Sequence, residues 1–186
     1  MKKTIILLLA LAILFTACGA AAESAPVRFE DWKVSWDDAY TDIIALYGEP
    51  AETLAYVDTY ILIYHDVTVC GMEGYSQAFE FAFDSNALVS MGLYGITGDA
   101  EENDRAGETL VSALTEQYGE PDEAESDNGV YTVWRSAAEN TEIRAGRLEM
   151  EMTDSFESYV SYVCTLPDEA RKTHGESPVT PVPAAE

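Results

Sequence analysis

The chain has 186 residues, with 10 lysines and arginines against 34 aspartates and glutamates, which gives a formal net charge of −24. This charge argues against nucleic-acid binding and against adhesion to anionic lipid surfaces, and it disfavours acidic partners. Hydrophobic residues make up 47% of the chain and 11 residues are tyrosines, so the sequence can bury a core and is not a disordered chain throughout.

Residues 1–17 have the pattern of an export signal. Lys2 and Lys3 precede an apolar run over residues 5–15, which is too short to span a bilayer. The run leads into Phe-Thr-Ala-Cys18, which resembles the lipobox of bacterial lipoproteins, with Phe in place of the usual Leu. The resemblance implies that Cys18 carries acyl chains such as palmitate and anchors the mature protein to the extracytoplasmic face of a bacterial membrane. The alternative is an ordinary secretory signal with a chance cysteine.

The segment after the signal predicts a tether and then a helix. Residues 18–27 are small and polar, as in a flexible linker. Ser35 is a candidate N-cap, and apolar side chains recur at helical spacing from Trp36 to Tyr47. Gly48 can adopt the left-handed conformation that ends a helix, and the proline two residues later prevents its continuation.

The same stop signal occurs twice. The segments 41–50 and 112–121 both end in Tyr-Gly-Glu-Pro, and the two copies are 71 residues apart. At that offset, residues 60–64 align with residues 131–135. The sequence therefore predicts two repeated helix–β-meander units, with the boundaries 28–96 and 97–166.

The second unit is expected to begin with a helix opened by Asp99, Glu101 and Glu102, whose charges suit the positive end of the helix dipole. Strands follow each helix, because β-branched and aromatic residues are frequent and alternate with polar ones. Short connections require antiparallel pairing. We expect an α+β fold with helices packed on one side of an antiparallel sheet. The predicted strands cover residues 56–69, 77–83, 88–94, 130–136, 142–152 and 158–166, with turns at residues 71–74 and 84–86.

Residues 167–186 contain four prolines and no aromatic residue, which predicts a disordered tail. The two remaining cysteines, Cys70 and Cys164, can form a disulfide in an exported chain or serve as small buried hydrophobic residues.

Catalytic and metal-binding motifs are lacking. His65 and His174 are the two histidines, and neither has a companion at metal-ligand spacing. The acidic run over residues 122–129 is the best calcium candidate, but it lacks the bidentate glutamate of an EF-hand. We therefore expect no cofactor, no metal and no enzymatic activity. Four aromatic residues at aligned positions of the two units are candidates for a binding surface if they are exposed on one sheet face, and for the core otherwise: Tyr60, Tyr64, Tyr131 and Trp134.

Helices that end at residues 47–50 and 118–121 and continue into strands resemble the small bacterial lipoproteins of the SmpA/OmlA group. Two such units in tandem are similar in layout to the beta-lactamase inhibitory protein family. That resemblance implies a sheet used as a protein-binding surface and no catalysis. Proteins of the inhibitory type commonly have a disulfide in each unit, whereas each unit here has one cysteine. We expect a non-catalytic binding module for a protein or cell-envelope component. The alternatives are an inhibitor of a secreted enzyme and a small envelope hydrolase built around His65.

Overall fold

The sheet is antiparallel, with the strand order β1-β2-β3-β4-β8-β7-β6-β5. The structure is a computed structural model that describes residues 29–126, 129–150 and 154–181. Within these residues the fold is α+β, as predicted, and eight strands in one sheet are accompanied by two α-helices. The helices are α1 (Tyr40–Tyr47) and α2 (Ala100–Tyr118), and the strands are β1 (Glu52–Ala55), β2 (Thr59–Val69), β3 (Met72–Ala82), β4 (Leu88–Thr97), β5 (Glu123–Ser126), β6 (Gly129–Ser136), β7 (Thr141–Met150) and β8 (Ser155–Cys164).

Each run of four strands is a meander, and β4 and β8 pair in the middle of the sheet. The sequence did not predict the short edge strands β1 and β5, which are polar and only four residues long. The turn predicted at residues 71–74 is also wrong. Cys70 and Gly71 make the turn, with positive φ at both residues, and Met72 already pairs with Val69.

Helix α2 begins as predicted and α1 does not. The Asp99 carboxylate accepts hydrogen bonds from the backbone N–H groups of Glu101 and Glu102, so it is a true N-cap. Ser35, the predicted cap of α1, instead begins a separate turn in which its N–H donates to Asp38 over 2.8 Å. Helix α1 starts five residues later, at Tyr40.

The two helices end with matching geometry. Gly48 has φ 84° and ψ −169°, and Gly119 has φ 84° and ψ −164°. Each glycine N–H donates to a carbonyl of the last turn, that of Ile44 or Thr115. The positive φ was predicted, but ψ is extended, outside the left-handed helical region that the sequence suggested. This part of backbone space is essentially restricted to glycine.

Three aromatic residues before α1 form a wedge at the centre of the core. Phe29, Trp32 and Trp36, hereafter the aromatic wedge, are all buried. Trp32 makes edge contacts with Phe79 of β3 and Tyr162 of β8, with ring centroids 5.7 and 5.4 Å apart. The wedge therefore joins the two halves of the sheet.

Both helices cover the same face of the sheet as the wedge. Ile43 of α1 and Leu110 and Leu114 of α2 are fully buried there. Helix α2 approaches the sheet closely at Gly107, where a Cβ atom would lie 3.5 Å from the Cβ of Arg147. The strand residues that meet the helices and the wedge include Tyr60, Leu62, Phe79, Met91, Leu93, Trp134, Ile143, Ala145, Val160 and Tyr162.

Residues 167–181 differ from the predicted disordered tail. They begin with a short 3₁₀ helix, the His174 N–H donates to the Ser85 carbonyl over 2.8 Å, and Val179 packs against the core. The prediction of disorder rested on local composition, which carries no information about contacts with distant parts of the chain. Residues 182–186 lie outside the described part.

Candidate binding face on the open side of the sheet

The face of the sheet opposite the helices, hereafter the open face, contains a row of tyrosines. Side chains alternate along a strand, so the buried Met91 and Leu93 place Gly92 and Tyr94 on the open face. Tyr94 pairs directly with Tyr159 across β4 and β8. Tyr159 is followed across β7 and β6 by Gly146 and Tyr131. Tyr94, Tyr159 and Tyr131, hereafter the tyrosine row, thus span the centre of this face.

The ring of Tyr94 lies over the backbone of Gly92. A Cβ atom on Gly92 would lie 2.6 Å from the Tyr94 hydroxyl oxygen and 2.7 Å from two ring carbons, so only glycine leaves room for the ring. Burial raises the pKa of Tyr94 to about 12, a hydrogen bond with Ser161 opposes this rise, and the charges of Glu157 and Glu80 add to it. The hydroxyl is therefore held against the sheet as a neutral group.

Tyr159 is half-buried beside Tyr94. Burial raises the pKa of Tyr159, and the neighbouring Tyr131 adds to the rise while Arg144 opposes it. Gly146 of β7 lies between Tyr159 and Tyr131 and has no side chain on the open face. Tyr94 and Tyr159 are partly desolvated, and the Tyr94 ring also packs on backbone.

Charge is distributed unevenly over the open face. Near β6 and β7, Glu142 binds both Arg135, at 3.1 Å, and Arg144, at 2.6 Å. Near the centre, Glu80 accepts a hydrogen bond from Ser90 over 2.7 Å, and burial raises the pKa of Glu157. Glu80 and Glu142 therefore lie on one side of the tyrosine row, and Glu157 lies on the other.

His65 lies near the β1 edge of the open face, between an acid and an alcohol. Its Nε2 is 2.9 Å from Glu52 Oε1, and its Nδ1 is 2.9 Å from Ser76 Oγ. If Nε2 carries the proton and donates to Glu52, Nδ1 can accept the Ser76 hydroxyl proton, which is the arrangement of an activated serine. The His65 and Glu52 side chains are 43% and 53% exposed, so water has access to this cluster.

The four aromatic residues that were candidates for a binding surface or for the core do not lie together. Tyr60 and Trp134 are 0% and 2% exposed and belong to the core, so they cannot form a binding surface. Tyr64 also points toward the helix side, where its hydroxyl donates to the Gly48 carbonyl over 2.9 Å. Burial raises the pKa of Tyr64 to about 12. Only Tyr131 of the four lies on the open face.

The reason is a one-residue difference between the two halves of the sheet. Ala51 N–H donates to the Ile63 carbonyl, and Asp122 N–H donates to the Val133 carbonyl, so Ile63 corresponds to Val133, 70 residues away. The predicted alignment used an offset of 71, and a one-residue shift in a strand exchanges its two faces. In the structure Tyr64 corresponds to Trp134, whose Nε1 donates to the Gly119 carbonyl over 2.9 Å.

Of the two alternatives for Cys70 and Cys164, the structure shows the unbridged one, because both are free thiols. Cys70 lies in the β2–β3 turn and Cys164 ends β8, and strands β3 and β4 separate the strands that carry them. Cys164 is buried and Cys70 is half-buried, and burial raises the pKa of the Cys70 thiol. Both pack against the hydrophobic core.

Metal ligands do not converge in the described part of the chain, where no three His, Cys, Asp or Glu side chains could hold an ion together. The acidic run suggested for calcium contributes β5, but its side chains from Glu123 onward lie outside the described side chains. Cys18, the signal and the tether lie outside the described residues. Within residues 29–126, 129–150 and 154–181, no helix is long and apolar enough to cross a membrane.

The chain matches no known family model, no curated protein and no solved structure.

Proposed function

We propose that this protein is an extracytoplasmic lipoprotein, anchored to a bacterial membrane through Cys18, that binds a protein or cell-envelope component without catalysis. The observation that carries the proposal is the tyrosine row on the open face of the sheet, which neither of the two described helices covers. Tyrosines that are already packed supply large contact areas at low entropic cost, and such residues are frequent in the energetic centres of protein interfaces.

The internal repeat belongs to the same proposal. Residues 28–96 and 97–166 are two copies of one helix–β-meander unit, joined at β4 and β8. The matching glycine geometry at Gly48 and Gly119 supports this duplication, as do the parallel hydrogen bonds from Tyr64 and Trp134. In such a tandem the joint between the units creates a continuous face that neither unit has alone, and the tyrosine row crosses that joint.

The membrane anchor at Cys18 belongs to the same proposal. Two acyl chains at about 0.8 kcal/mol per buried methylene would hold the protein on the membrane.

Capture from solubilised membranes tests the binding function. The full chain, carrying an affinity tag, is compared with Tyr159→Ala and with Tyr56→Ala, a control tyrosine that is 50% exposed in the connection between β1 and β2, at the edge of the sheet away from the tyrosine row. We expect partners that remain bound to the wild type and to Tyr56→Ala, are identified by mass spectrometry, and are depleted with Tyr159→Ala. A set of captured proteins that is identical for all three proteins would contradict the proposal.

The cluster of Glu52, His65 and Ser76 favours a second candidate, a small envelope hydrolase. In that case Ser76 Oγ would form a bond to the acyl carbon of an ester while its proton passed to His65 Nδ1 and then to the leaving alcohol, and water would later release the acyl group. Exposure of the cluster argues for a structural role, in which His65 ties β1 to β2 and β3.

Ester turnover decides between the two functions. The binding proposal expects no turnover of p-nitrophenyl acetate above the rate of the Ser76→Ala variant. Turnover that is lost in both Ser76→Ala and His65→Gln, with unchanged unfolding curves, would establish the hydrolase instead.

A further inference from the structure

The centre of the open face combines an aromatic ring with two carboxylates that form no ion pair within the described residues. Because the ring of Tyr94 lies flat over Gly92, one of its π faces is turned to the sheet and the other outward. Tyr94 is partly exposed, so part of its side chain is accessible to a partner. A ring fixed in this way presents its negative π face to an incoming group.

Two carboxylates flank this ring. Glu80 and Glu157 both act electrostatically on the Tyr94 hydroxyl, and both are half-buried. Glu157 lies two residues before Tyr159 on the same face of β8. Within the described part of the chain, the ion pairs do not include Glu80 or Glu157.

The basic side chains of the open face are already engaged elsewhere. Arg135 and Arg144 both bind Glu142, which lies on β7, beyond Tyr159 as seen from Tyr94. His65 binds Glu52 near the β1 edge. A positive charge that satisfies Glu80 and Glu157 must therefore come from outside these pairs.

We propose that the open face accepts a lysine or arginine side chain of a basic partner protein, seated on the Tyr94 ring between Glu80 and Glu157. This inference rests on the proposed binding function and names the chemistry of the partner. A cation over a partly desolvated ring gains both cation–π attraction and pairing with the carboxylates. The net charge of −24 would attract a basic surface over a longer range and repel an acidic one.

Arginine binding provides the test, with dye-labelled hexaarginine amide as the probe. Its anisotropy is measured with the full-length chain in non-ionic detergent micelles at about 0.1 M salt, where the Debye length is about 10 Å and diffuse attraction is screened. Glu157→Gln and Glu116→Gln each remove one negative charge, but Glu116 is exposed on α2, on the helix side of the sheet. We expect Glu157→Gln to weaken binding by about threefold to tenfold and Glu116→Gln by less than about twofold.

Two further variants isolate the ring. Tyr94→Phe keeps the π face and is expected to bind within about twofold of the wild type, whereas Tyr94→Leu removes it and is expected to lose about threefold or more. Far-ultraviolet circular dichroism checks that each variant is folded. If Tyr94→Leu does not fold, the difference in binding between Glu157→Gln and Glu116→Gln tests the inference.

Equal weakening by Glu157→Gln and Glu116→Gln would overturn the inference, because it would show attraction by net charge alone. Full binding by a folded Tyr94→Leu variant would overturn it as well. A partner whose capture is lost with Tyr159→Ala but unchanged with Glu157→Gln would support the proposed function and contradict this cation site. Arginine binding that needs Glu157, without any captured partner, would support the site and not the function.

Discussion

Gly48 and Gly119 offer a measurement of backbone strain without interference from packing. A Cβ atom at either position would meet no other atom within 4 Å, so an alanine would cause no steric overlap. Both residues nevertheless have φ 84° with extended ψ, a region that is essentially glycine-only. Forcing a non-glycine residue into such a region costs about 1–3 kcal/mol. Gly48→Ala and Gly119→Ala should each destabilise the fold by that amount.

Gly98→Ala is the matched control. Gly98 also has open space around its Cβ position, but its φ is not positive. Its substitution should change the free energy of unfolding by less than about 0.5 kcal/mol. Urea unfolding of the three variants and the wild type, with linear extrapolation to water, gives the comparison.

The double variant extends the test. The two glycines end different helices and contact different residues, so their effects should add to about 2–6 kcal/mol. That sum is a large part of the about 5–15 kcal/mol by which a domain is usually stable. A cost for Gly48→Ala no larger than that for Gly98→Ala, with equal denaturant slopes, would refute the assignment of strain.

Three other perturbations have defined outcomes. Burial raises the pKa of Tyr94 to about 12, above the unfolded value of 10.0, so the neutral phenol stabilises the fold below pH 10 and that stability is lost as the pH rises toward 12. Gly92→Ala should displace the Tyr94 ring and return its pKa, followed by tyrosinate absorbance, toward the ordinary value. An unchanged titration would show that the ring does not lie on Gly92. Trp32→Ala should destabilise the domain by about 3–5 kcal/mol in urea unfolding, since the side chain is 1% exposed and packs on both halves of the sheet. A cost below about 1 kcal/mol would mean that the wedge is not part of the core. Cys18→Ala should release the protein from the membrane fraction, and complete retention would rule out a lipid anchor at this residue.

Local signals in the sequence predicted those elements that local interactions determine. Asp99 caps α2 through its own side chain, and Gly119 ends it through its own φ, so both were readable from the residue types. Ser35 and Trp36 also fit a helix by spacing, but Trp36 instead donates hydrogen bonds to Glu139 and Thr141, more than 100 residues away. Contacts of that kind cannot be read from a helical pattern.

The open face was missed for a related reason. Three residues connect β1 to β2 and two connect β5 to β6, so an alignment at a constant offset of 71 is one residue out of register after these connections. At an offset of 71, Trp134 aligns with Ile63 on the open face, whereas Trp134 itself is buried on the helix side. The alternation of Gly92 and Tyr94 with Met91 and Leu93 was a usable signal, because it places a glycine next to a tyrosine on the face opposite two large apolar residues.

The aromatic wedge also determines when the fold can be completed. Residues 29–36 are synthesised before every strand, yet Trp32 packs on Tyr162, which is made 130 residues later. At about 5–20 residues per second this delay is on the order of ten seconds, during which two tryptophans lack their final partners. Contacts so distant in sequence also slow folding itself. The earliest part of the domain to be made is therefore among the last to be buried, and the arrival of β8 determines when the first half of the protein becomes stable.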